Sequence, residues 1–161
     1  MLQQIAASLL LDPDTDGQFQ LFLEKCGHLD GWYDFVDYYC PDPNCDCRRT
    51  TLVIVDQSLQ QHAAIIYGWE PRSFYLQSKA EVLTEEEVDR LTQGFLDPWD
   101  VQSADAPFFL SSFVSYFRDD PSFREWLETR YRLFKEAVAA QINDQNNKAA
   151  TVVPFFKKQK R

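Results

Sequence analysis

The longest regular pattern of apolar positions lies near the end of the chain. Phe123, Trp126, Leu127, Tyr131, Phe134, Val138 and Ile142 recur every three or four residues. That spacing predicts one helix with a single apolar face about 30 Å long at 1.5 Å per residue. Asp120 reads as its N-cap and Pro121 as its first residue, with Arg124, Glu125, Glu128 and Arg132 on the wet side. Upstream, Phe109, Phe113, Val114 and Phe117 stripe a second helix. Thr84-Glu85-Glu86-Glu87 has the form of a capping box, with Leu83 and Val88 as the accompanying staple and Gly94 near the stop. A helical period is also read in residues 1–30, as two pieces split by Asp12 to Gly17. In the second piece Phe19, Phe22, Leu23 and Cys26 fall at i, i+3, i+4 and i+7, and Gly27 is placed to end it.

Between these helical stretches the pattern changes character. Trp32 to Cys40 is dominated by aromatics, Thr50 to Val55 by β-branched residues, and Ala63 to Trp69 is apolar. The three read as consecutive antiparallel strands, with Phe74-Tyr75-Leu76 as a fourth candidate. Helices, a meander and then helices predict an α+β fold. The expectation is one domain over residues 1–147, an antiparallel sheet of three to four strands with N-terminal and C-terminal helices packed mainly on one face. Residues 148–161 form a basic C-terminal tail.

Composition adds an aromatic-rich core, since Phe, Tyr and Trp make 15% of the 161 residues. The net charge of −9 is unevenly spread. Lys157, Lys158, Lys160 and Arg161 close the chain, and without them 12 basic residues face 25 acidic ones. So acidic a body repels phosphate backbones and argues against nucleic-acid binding. No apolar run reaches the roughly 20 residues of a membrane span. The N-terminus does not read as an export signal, so the four cysteines predict a reducing, cytoplasmic setting in which metal ligation or burial outranks disulfides.

The candidate chemistry is concentrated in one loop, Cys40-Pro41-Asp42-Pro43-Asn44-Cys45-Asp46-Cys47. Three thiolates on a turn stiffened by two prolines can converge on a soft metal, most simply zinc. Cys45 and Cys47 are separated by one residue, which works only where the backbone bends. Cys26 and His28 are the candidates for a fourth ligand, with His62 a more distant one. The alternative is three unligated thiols packing a tight hairpin end. Asp30, Asp34, Asp37 and Asp56 read as the wet side of half-exposed strands.

The string Tyr39-Cys40-Pro41-Asp42-Pro43-Asn44-Cys45-Asp46-Cys47-Arg48-Arg49 resembles a motif of a poorly characterised bacterial family. Its members often carry a C-terminal SEC-C metal-binding motif. Tyr67-Gly68-Trp69-Glu70 with Phe74-Tyr75 is similar to that family's strand pair, and Arg130-Tyr131-Arg132-Leu133-Phe134 to its last-helix signature. The resemblance spans residues 32–136 and implies a metal site without implying an activity. The SEC-C hook itself is absent, for no cysteine follows Cys47.

Three readings of function follow. The first is a non-catalytic, zinc-stabilised binding or adaptor domain for a protein partner. The second is a metal-dependent hydrolase with an open zinc position and Asp42 or Asp46 as base. The third is an interaction protein working through its tail.

Overall fold

The computed structural model describes residues 4–11, 19–78 and 82–150. Lys157, Lys158, Lys160 and Arg161 of the tail, and the whole segment Asp12 to Gly17 expected to split the N-terminal helices, lie outside these, whereas the first three tail residues continue the last helix. Six antiparallel strands form one sheet: β1 (Ile5–Ala6), β2 (Gln20–Leu23), β3 (Gly31–Tyr39), β4 (Arg49–Asp56), β5 (Gln61–Gly68) and β6 (Phe95–Leu96). Their order is β1-β3-β4-β5-β6, and β2 shares the outer edge of β3 with β1. Four helices complete the fold: α1 (Arg72–Leu76), α2 (Glu85–Gln93), α3 (Ala106–Tyr116) and α4 (Pro121–Ala150).

Alternation along the central strands sorts side chains between two faces. Tyr33, Phe35 and Tyr39 of β3, Leu52 and Ile54 of β4, and Ile65 and Tyr67 of β5 are all buried on one of them. They belong to the main core with Phe109 and Phe113 of α3 and Phe123, Leu127 and Phe134 of α4. The aromatic rings meet edge-on, as Phe35 does Phe123 at 6.0 Å and Tyr67 does Phe113 at 5.0 Å. The opposite, outer face carries Val53, Val55 and Ala64, flanked by Val36 and Tyr38. Tyr75 of α1 and Val88 and Leu91 of α2 pack beside Ile66 at the β5 side of that face. The helices therefore lie on both faces, the larger pair on one and the smaller pair on the other.

The capping box is present: the Thr84 hydroxyl accepts from the Glu87 amide at 3.2 Å, and the Glu87 carboxylate accepts from the Thr84 amide at 2.8 Å. Asp120 caps α4, accepting from the amides of Ser122 and Phe123. The apolar contact of α4 ends at Val138, and Ile142 is exposed where the sequence pattern placed it on the buried face.

Further expectations are corrected. The sheet has six strands where three to four were expected, and helices cover both of its faces where one was expected to carry most of them. Residues 1–30 are not two helices. Ile5–Ala6 is a strand followed by a single 3-10 turn, and Gln20–Leu23 is a strand. Leu21 and Leu23 turn to the core while Gln20 and Phe22 face outward, a period of two that Phe19, Phe22 and Cys26 masked. Phe22 instead lies 4.8 Å from Trp32 across the strand pair. Phe74-Tyr75-Leu76 is helical, because Pro71 serves as N-cap and starts a turn in which its carbonyl accepts from the Phe74 amide. Asp37 is not on a wet face. It is 2% exposed, on the core side of β3, and the Arg130 guanidinium donates to both of its oxygens at 2.7 and 2.9 Å.

The β5 edge is finished by a side chain. The Gln102 amide accepts from the Ala64 N–H at 3.0 Å and donates to the Ala64 carbonyl at 3.1 Å.

Candidate metal centre

The cysteine loop begins where β3 leaves the sheet. Asp42 builds its turn, the carboxylate accepting from the Asn44 amide at 2.9 Å and the carbonyl from the Cys45 amide at 3.1 Å. The bend needed near Cys45 and Cys47 is completed at Arg48, whose φ of 43° is left-handed, and the chain then enters β4. The sulfurs of Cys40, Cys45 and Cys47 lie within 4.8 Å of one another. Cys40 is buried, and the other two are partly so.

The loop is held from three directions. Lys135 of α4 donates to the carbonyl oxygens of Cys40 at 3.0 Å, Asp42 at 2.6 Å and Cys45 at 2.8 Å. An ammonium has three protons, so its donor capacity is spent on this loop. The Tyr131 hydroxyl, one helical turn earlier, donates to the Cys45 carbonyl at 3.2 Å. At the exit, the Arg48 guanidinium bonds Asp46 at 2.9 Å and Glu70 at 2.8 Å. The Tyr75 hydroxyl donates to the Arg48 carbonyl at 2.7 Å.

Burial pushes the Cys40 thiol up, and the bond to the Asp42 backbone only partly opposes this. Burial also raises the Cys45 thiol, with the neighbouring Cys47 adding to the effect. These two groups therefore rest as protonated thiols at neutral pH, and an ion entering the site must displace their protons. The Tyr131 hydroxyl is raised first by burial, then by Cys47 and Asp46.

The donor set fits zinc. Bonds of about 2.3 Å in a tetrahedron put sulfurs about 3.8 Å apart, a spacing compatible with three sulfurs that lie within 4.8 Å of one another. The structure does not bring the predicted fourth ligands to it. Cys26 donates its thiol to the Glu24 carbonyl at 3.6 Å. The His28 Nε2 lies 3.1 and 3.2 Å from the Asp105 carboxylate oxygens, at the start of α3. His62 is neither exposed nor near the loop's sulfurs: its Nε2 meets Asp56 at 3.0 Å across the β4–β5 turn. That contact, with Ser58 second, holds the Asp56 carboxyl well below its usual range. Among the described residues no other histidine, cysteine or carboxylate joins the trio.

Lys135 was missed by the sequence reading. Its signal was present as Tyr131 and Lys135 four apart on the predicted helix, a spacing that places both on one face. Two hollows adjoin the loop. A cleft of about 550 Å3 on the α4 side is lined by Asp46, Arg48, Trp69, Glu70 and Tyr131. A groove of about 810 Å3 on the outer sheet face is lined by Tyr38, Cys40, Val53, Ile66 and Phe95. No helix among the described residues is long and apolar enough to cross a membrane. No family model, curated protein or solved structure matches the chain.

Proposed function

We propose that this chain is a non-catalytic binding module whose β3–β4 loop is bracketed by a zinc ion on Cys40, Cys45 and Cys47. One observation carries the reading: three thiols converge in a loop that Lys135 already holds by three carbonyl oxygens. A site so supported favours a fixed geometry over a mobile one. The zinc would tie the sheet to α4 and fix the shape of the groove beside it. The kinship with the SEC-C-associated bacterial family, carried by Tyr39 to Arg49, belongs to the same proposal, as does a cytoplasmic setting that keeps the thiols reduced.

The hydrolase reading has one observation in its favour, the count of three protein ligands. Against it, the two loop carboxylates are committed elsewhere: Asp42 accepts from Asn44 and Asp46 pairs with Arg48. A general base must reach a water on the ion, and neither carboxylate groups with the three sulfurs. The tail-mediated reading concerns a segment whose residues 151–161 lie outside the described ones.

The test is elemental analysis of protein purified without added metal. We expect about one zinc per chain in the wild type and a marked loss in Cys45→Ser. Metal-free wild-type protein that also fails to take up added zinc would reject the proposal.

A further inference from the structure

The trio is approached from two different kinds of surface. On the α4 side, Lys135 and Tyr131 close over the carbonyl oxygens of the loop. On the other side Cys40 belongs both to the trio and to the wall of the outer-face groove. An ion in tetrahedral coordination on three sulfurs keeps one position for another donor. Among the described residues no histidine, cysteine or carboxylate supplies it.

We propose that this fourth position opens onto the groove and accepts the thiolate of a small, apolar-bodied thiol. The inference rests on the zinc reading above. The groove supplies the selectivity. Its volume of about 810 Å3 lies in the range of small-molecule sites, and Val53, Ile66, Leu91 and Phe95 give it an apolar floor. Its rim carries Glu87, Asp97 and Asp100 against Arg49 and Arg90, an acidic balance that disfavours phosphates and other polyanions. Three thiolates already around the ion favour a fourth soft donor. A thiol arrives neutral, so it crosses the acidic rim without repulsion. On coordination the S–H bond breaks and a metal–sulfur bond forms. The proton goes to solvent, the displaced water leaves the ion, and no atom changes oxidation state.

Cobalt(II) reports this chemistry through its d–d and sulfur charge-transfer absorption. The full chain is loaded with cobalt and titrated with 2-mercaptoethanol and, separately, 2-phenylethanethiol. Both thiols are expected to intensify the charge-transfer band, the phenyl thiol at a concentration about tenfold lower, as burial of its ring in the groove requires. Ile66→Trp narrows the groove away from the ligands and Phe95→Ala widens it. Each should shrink the preference for the phenyl thiol while leaving cobalt stoichiometry unchanged. A loaded protein whose spectrum neither thiol moves overturns this inference and leaves the zinc reading standing. Equal affinity for the two thiols overturns the groove's part in it. A chain that takes up no cobalt overturns the zinc reading and this one with it.

Discussion

Lys135 has a long apolar stem and one charge, and the fold uses both. The stem runs beside Tyr131, whose ring centroid is 5.3 Å from the ammonium, and the charge ends among three carbonyl oxygens. Those oxygens point inward around a positive group, so the loop's backbone dipoles would repel one another without it. Lys135→Met keeps the stem and removes the charge. Supporting groups around a metal site are commonly worth about 10–100-fold in affinity, and a loss in that range is expected here, read by competition with a chromophoric zinc chelator. Unchanged affinity would show that the loop holds its shape without the lysine. Gly68 works at the same scale. A Cβ there would stand 2.5 Å from the Tyr75 hydroxyl oxygen and 2.9 Å from Leu91 Cγ, so the missing side chain is what lets Tyr75 reach the Arg48 carbonyl.

At the scale of elements, the joint between β3 and α4 decides how the loop is carried. Asp37 and Arg130 meet inside it, 2% and 7% exposed, in a two-pronged contact. Removing the carboxylate takes from the buried Arg130 guanidinium its two-pronged anionic acceptor. Asp37→Ala is therefore expected to cost about 3–5 kcal/mol in urea unfolding, and the double change Asp37→Leu with Arg130→Met much less. Equal costs for the single and double changes would show that the pair contributes only shape. This joint was not legible in the sequence. An aspartate in a strand reads as solvent-facing, and only register with a helix 93 residues away reveals its partner. The three central strands and the helices α2, α3 and α4 were legible, because their apolar periods are long and their caps explicit. β2 was not: Phe19, Phe22 and Cys26 imitate a helical face, while the true signal is the alternation of Leu21 and Leu23 over four residues. The convergence of Cys40, Cys45 and Cys47 could be read from spacing and two prolines. What lay beyond reading was where Cys26 and His28 go, since the Glu24 carbonyl two residues away takes the Cys26 thiol and Asp105 takes His28 through a tertiary contact.

For the whole molecule, the position of the loop separates metal binding from the formation of the core. The aromatic layer of Phe35, Phe109, Phe113 and Phe123 is buried independently of the sulfurs, and α4 contributes to it through Phe123, Leu127 and Phe134. Small zinc domains without such a core unfold when the ion is removed. This chain should not. Zinc-loaded protein treated with a chelator is expected to keep its far-ultraviolet circular dichroism at 25 °C and to melt cooperatively at a lower temperature. Complete loss of secondary structure on chelation would show that the core depends on the ion after all.

The amide of Gln102 has a significance beyond its two bonds to Ala64. With only two residues, β6 covers little of its neighbour, and a bare strand margin invites foreign chains to add themselves. A glutamine that occupies the next peptide group along that margin, beside the Asp97 and Ser103 amides on the Ala64 and His62 carbonyls, leaves less of it for a foreign strand to pair with. Solubility at high concentration would then depend on a residue far from the sulfurs and indifferent to whatever they bind.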